Sequence, residues 1–158
     1  MERISQKDLP QGLIQTLYQV QQYVDNSGLD SKLLHLVRMR VSQINSCAYC
    51  LDMHFKEGIE DGDTALRLIS LSAWRETPYY SPKEQAVLAF AEALTKLAPD
   101  ESSDHIHDEL NKYFSKEEIA KLTLAIIQIN SWNRLVRSFG TVPGKYEVKK
   151  KEKASVSL

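Results

Sequence analysis

Residues 41–58 read VSQINSCAYCLDMHFKEG, and whether the helix continues through Asn45 and Ser46 decides how the rest of the chain is arranged. Upstream, Leu33, Leu34, Val37, Val41 and Ile44 recur with the 3.6-residue period of a helix, which Asp30 or Ser31 can cap. Downstream, CAYCLDMHFKEG reads as another helix, with Ser46 placed to accept hydrogen bonds from its first amides and Gly58 placed to end it. If the two form a hairpin about Asn45 and Ser46, His35 comes level with about position 55 and approaches His54. If the helix is unbroken, the twelve residues from His35 to Cys47 hold them roughly 18 Å apart.

The flanking sequence is helical as well. Leu13, Leu17, Val20 and Val24 form an apolar stripe after Pro10, and DNSG (residues 25–28) reads as its stop. Asp63 can cap a helix through Leu66, Ile69, Leu71 and Trp74. Ser81-Pro82-Lys83-Glu84 is a capping-box pattern with proline at the first helical position, leading into Val87, Leu88, Phe90, Ala91 and Leu94. After Pro99 and a polar stretch, a short helix through Ile106 and Leu110 precedes a second capping box at Ser115 to Glu118. The last helix is predicted from about Lys116 to Phe139, ending at Gly140, a span of roughly 35 Å. Its Leu122, Leu124, Ile126, Ile127 and Ile129 cover more than one face, which points to burial on two sides, one of them against another subunit. No strand pattern competes. The expectation is an all-α single domain of six or seven helices over residues 1–145. A polar, basic, flexible tail is expected over 146–158, with its lysine run at Lys149 to Lys153 solvated.

A chain of 158 residues with 42% hydrophobic and 26% charged residues can bury an ordinary core without disulfide staples. A net charge of −1 gives no reason to expect a nucleic-acid partner. The polar start MERISQKDLP and the lack of an apolar run near 18 residues predict a cytoplasmic protein with no membrane association. In a reducing compartment a close cysteine pair is more often catalytic, redox-sensing or metal-binding than a permanent bridge.

On a helix, Cys47, Cys50 and His54 stand at i, i+3 and i+7, along one stripe. The sulfurs can close a disulfide with modest adjustment in a first helical turn. Free amides and the positive end of the helix dipole favour a thiolate there. His54, one turn beyond Cys50, can move a proton, which favours Cys50 as nucleophile and Cys47 as its resolving partner, although Cys47 lies nearer the dipole's positive end. The bland alternative is a zinc site or inert buried thiols, with only His35 as a candidate fourth ligand.

The segment RMRVSQINSCAYCLDMHFKEG, flanked by LSAWRETPYYSPKEQAVLAFAEALT and INSWNRLVRSFGTVPG, resembles the carboxymuconolactone decarboxylase-like proteins, and among them the alkylhydroperoxidase D type (AhpD). The resemblance covers roughly residues 10 to 145. Peroxidases of that type carry Cys-x-x-Cys-x-x-x-His, with a glutamate twelve positions before the first cysteine. Cys47, Cys50 and His54 match, whereas the glutamate position holds His35 here. The resemblance implies an AhpD-like helical subunit in a homo-oligomer that reduces hydroperoxides with no bound cofactor or metal. Cys50 would be oxidised by peroxide and Cys47 would resolve it, with His54 and His35 passing the proton. A dithiol reductant, such as a lipoylated or thioredoxin-like protein, would restore the thiols. The rival readings are a non-enzymatic redox sensor or zinc-stabilised interaction protein using the same cysteines, and a cysteine-independent lyase. Elsewhere, His105 and His107 read as solvated, and Tyr49, Trp74, Tyr79, Tyr80 and Trp132 as packing residues. Asn133 and Arg134 read as satisfying buried hydrogen bonds or an ion pair.

Overall fold

The computed structural model describes residues 2–98 and 104–148. Its helices are α1 (Leu13–Asp25), α2 (Ser31–Ile44), α3 (Ala48–Glu60), α4 (Ala65–Ser70), α5 (Pro82–Lys96), α6 (Asp104–Leu110) and α7 (Lys116–Phe139), with 3₁₀ turns at Gln6–Asp8 and Leu71–Glu76. The described residues contain no strand, so the fold is all-α. No helix among them is long and apolar enough to cross a membrane.

The decisive segment breaks. Asn45 ends α2, Ser46 turns into the left-handed region at φ 51, and α3 starts at Ala48. The amide of Cys47 donates to the Ser42 carbonyl at 2.9 Å and that of Ser46 to the Gln43 carbonyl at 3.1 Å, the bonding pattern of a Schellman turn. Ser46 therefore terminates α2; it does not cap α3, whose N-cap position is Cys47, with no side-chain cap. Two further boundaries differ from expectation. Gly58 lies within α3, where a Cβ would stand 3.0 Å from Leu68 Cδ1 and 3.8 Å from the His35 Cβ, so it serves close packing instead of helix termination. Thr64 caps α4, accepting from the Arg67 amide, while Asp63 accepts from the Arg67 side chain at 2.9 Å. The two capping boxes, at Ser81 and Glu84 and at Ser115 and Glu118, form as expected, and Gly140 ends α7.

Helix α2 is the hub. Residues 33–39 are buried without interruption, because α3, α5 and α7 all pack on it. Val37 and Val41 meet Val87, Phe90, Leu122, Ile126 and Ile129 in the main core. Leu36 and Met39 meet Leu68, Leu71, Trp74 and Leu88 on the other side. Buried Glu92 joins these layers, accepting from Arg40 and Arg75 at 2.7 Å and from the Trp74 indole at 2.9 Å. On α7, Ala125 and Leu124 pack with Val24 of α1 and Leu34 of α2, whereas Ile127 is left half exposed. The lysine run at Lys149 to Lys153 lies outside the described residues.

Candidate functional site

Because α2 and α3 form a hairpin, His54 of α3 is brought within reach of His35 on α2, while Cys47 and Cys50 stand at the start of α3. Cys47 and Cys50 are each 1% exposed and both are free thiols, packed with Val136 beneath Tyr49, Trp132 and Leu135.

 The Cys50 thiol and amide turn toward the Cys47 sulfur, and the Asn133 amide and the Arg137 charge add to them, so the Cys47 thiol falls to about 7. The same contact, together with burial, raises the Cys50 thiol. On losing its first proton the pair therefore places the charge on Cys47, with Cys50 as the proton donor.

Asn133, fully buried on α7, holds this corner. Its carbonyl oxygen accepts from Asn45 at 2.9 Å and its amide donates to Ser42 at 3.0 Å, so it meets the hydrogen-bonding role expected of it. Arg134 donates instead to the Asn130 carbonyl of its own helix.

His54 is 3% exposed, and its Nδ1 lies 2.8 Å from Glu57 Oε2. Burial lowers its affinity for a proton, against the opposing pull of Glu57, so the ring is neutral near pH 7. Glu57 falls to about 2 because the two histidines and Tyr146 favour its ionised form more than burial opposes it. An ionised carboxylate can only accept, so the hydrogen is on Nδ1 and the lone pair is on Nε2. That Nε2 is buried with no hydrogen-bond partner among the described residues. His35 is 9% exposed and lowered by burial; its Nε2 lies 3.5 Å from Asp61 Oδ2, and its Nδ1 is likewise buried without a partner.

Among the described residues, one ligand atom each from His35, His54 and Glu57 falls within a mutual 4.8 Å, so these three could hold a cation. The cysteines do not belong to that group, unlike the zinc alternative read from the sequence. The 2.8 Å contact within it is that of a charge-assisted hydrogen bond, and we read the group as a hydrogen-bonded cluster.

A cavity of about 1230 Å³ opens beside the cluster. His35, Arg38, Cys50, Glu57, Trp132 and Tyr146 line it, whereas Cys47 and His54 stand behind its wall. Thus Cys50 is the sulfur an entering molecule meets. Glu57 was missed in the sequence although it stands one turn after His54 on the same helix. Tyr146 had no local signal, since its hydroxyl reaches Glu57 Oε1 at 2.6 Å across 89 positions. His105 and His107 are exposed on α6, away from these residues.

The model of the carboxymuconolactone decarboxylase family matches residues 9–93. The uncharacterized protein YdfG of Bacillus subtilis (strain 168) is 33% identical over 140 residues, covering 88% of this chain and 95% of that one. The crystal structure of ATU0492 from Agrobacterium tumefaciens, a protein of unknown function provisionally assigned to antioxidant defence as AhpD, is 36% identical. It superposes with a TM-score of 0.87 over 92% of this chain and all of that one. The debrominase Bmp8 shares the fold at a TM-score of 0.74 and 19% identity, covering 84% of this chain and 72% of its own.

Proposed function

The chain belongs to the carboxymuconolactone decarboxylase family, and from that premise we propose that it is a thiol-dependent hydroperoxide reductase. The observation that carries this reading is the placing of Cys50 on the cavity wall, with the Cys47 sulfur against it and a neutral imidazole one turn further along α3.

In the proposed cycle the proton shared by the two sulfurs shifts from Cys50 to Cys47, which puts the charge on the sulfur facing the cavity. The Cys50 thiolate attacks the outer oxygen of the hydroperoxide, the O–O bond breaks, and the alkoxide takes the proton now on Cys47, relayed through His54, to leave as alcohol. Cys50 is now a sulfenic acid. The Cys47 thiolate attacks it, the S–O bond breaks, and the hydroxide takes a proton drawn from solvent through the cavity to leave as water. Two thiols have lost two electrons to the peroxide and closed one disulfide. His54 carries a proton between sulfur and departing oxygen through Nε2, with His35 joining it to the cavity. Exchange with a dithiol, of the lipoylated or thioredoxin-like kind, reopens the disulfide. The working protein is proposed to be a homo-oligomer.

The test is peroxide turnover by the purified protein with a dithiol donor, together with peptide mass spectrometry before and after oxidation. Turnover with a Cys47–Cys50 bridge in the oxidised peptide is expected. A Cys50→Ser variant that turns over peroxide as fast as the parent refutes the reading. A redox sensor is told apart by kinetics, since it would oxidise once and consume dithiol too slowly for turnover.

A further inference from the structure

We propose that Glu57 is the positioning carboxylate of this site, holding His54 with its hydrogen on Nδ1 and its bare Nε2 free to take a thiol proton, and that Tyr146 fixes Glu57 from the C-terminal segment. The inference rests on the peroxidase reading for the reaction it serves, while the placing of the hydrogen can be measured apart from any turnover.

The two oxygens of Glu57 have separate partners. Oε2 accepts from His54 Nδ1 at 2.8 Å, and Oε1 accepts from the Tyr146 hydroxyl at 2.6 Å. A carboxylate held at both ends cannot rotate without losing one bond, so the direction of the imidazole is fixed as well. Tyr146 arrives there because the chain after α7 runs back along α3. The Gly144 amide donates to Asp52 Oδ2 at 3.0 Å, and the Lys56 ammonium donates to the Tyr146 carbonyl at 2.9 Å. Residues 52, 56 and 57 lie on one side of α3, so three contacts hold the segment along it.

Other charges around the imidazole do not replace Glu57. Arg38 of α2 faces it but is paired with Asp25 at the end of α1 at 2.5 Å, and His35 of α2 stands 3.5 Å from Asp61. Tyr49 lies beside Glu57 on α3. When Nε2 takes a proton, the imidazolium that results has Glu57 as its contacting counter-charge. The proton then passes from Nε2, by way of His35, to the departing oxygen, while Glu57 keeps its charge and Nδ1 its hydrogen throughout. No electrons move in this step. Without Glu57 both tautomers are open, and the one with hydrogen on Nε2 offers the cysteine pair no acceptor.

The experiment compares the parent with Glu57→Gln, Glu57→Asp and Tyr146→Phe. The tautomer of His54 is read by nitrogen-15 NMR of protein labelled in its histidine rings, and the rate of peroxide-driven disulfide formation is measured alongside. The parent is expected to show hydrogen on Nδ1, and Glu57→Gln a mixture of both forms with disulfide formation slowed roughly tenfold or more. Glu57→Asp should recover part of both, and Tyr146→Phe should lose a smaller part of each. A Glu57→Gln protein with the parent's tautomer and the parent's rate overturns the proposal. A parent that does not react with peroxide, yet loses its single tautomer on Glu57→Gln, sinks the peroxidase reading and leaves the positioning role standing. If Glu57→Gln fails to fold, Tyr146→Phe decides, and its showing no change in tautomer or rate counts against the proposal.

Discussion

At the scale of single residues, the site depends on how one proton is divided between two sulfurs. Cys47 is held down at about 7 chiefly by the thiol of Cys50, and Cys50 is raised chiefly by the same contact. Removing the donor should therefore release Cys47 toward the ordinary thiol range near 8.5. A Cys50→Ala variant, followed by ultraviolet thiolate absorbance against pH, should titrate well above the first midpoint of the parent; an unchanged midpoint would show that the helix start alone sets the acidity. Cys50→Ser should move it less, because the hydroxyl can still donate. How much of this was legible differs residue by residue. Cys47, Cys50 and His54 could be placed on one stripe from spacing alone. The sharing of charge could not, since it depends on side-chain rotamers and on Asn133, 86 positions from Cys47 in the chain and buried against Ser42 by the packing of α7.

At the scale of elements, the hairpin between α2 and α3 is the feature from which the site follows. Ser46 pays a conformational cost there, because an L-residue with a side chain is disfavoured at φ 51. Ser46 is exposed and makes its contribution through its backbone, so glycine should keep the Schellman turn and relieve the strain. Ser46→Gly is expected to raise stability by roughly 0.5–1 kcal/mol in denaturant unfolding, and Ser46→Val to lower it by more than that. A lower unfolding midpoint for the glycine variant would mean that the serine hydroxyl matters in a way the turn does not require. The break itself was open in the sequence because the apolar period runs close to Asn45 from both sides, and serine is more familiar as an N-cap than as a left-handed C-terminal residue. What closes the turn is tertiary. Asn45 donates to Asn130 and Asn133, and its carbonyl accepts from Arg137 at 2.6 Å, all three on α7. The capping boxes before α5 and α7 were legible because serine, the third residue onward and the proline are all local.

At the scale of the whole molecule, the α2 hub carries both the core and the chemistry, so stability and site titration are linked. Glu92 illustrates the structural side. It is 5% exposed and accepts from three donors, so Glu92→Ala leaves the Arg40 charge with little compensation and should cost about 3–5 kcal/mol in denaturant unfolding. A loss below about 1 kcal/mol would show that water replaces the carboxylate there. The site contributes a dependence on pH whose sign is set by its three groups. His35 and His54 sit below their ordinary 6.5 in the folded chain, so the unfolded chain binds more protons near that pH. Their contribution is complete above about 6.5 and is lost as the pH falls. Glu57 lies at about 2 against an ordinary 4.5, so its contribution is present above 4.5 and is lost as the pH falls toward 2. All three therefore weaken the fold on acidification, in two successive windows. Denaturant midpoints measured at constant ionic strength should fall between about pH 7.5 and 5.5, and His54→Gln should flatten that slope. Glu57→Gln should do the opposite in the same window, because removing the anion lowers His54 further and widens its gap from the unfolded chain, while below about pH 4.5 the variant should lose less than the parent. A parent whose midpoint rises on going from pH 7.5 to 5.5 would mean that the histidines take up protons in the folded state, and the neutral, hydrogen-accepting imidazole on which the site depends would have to be given up.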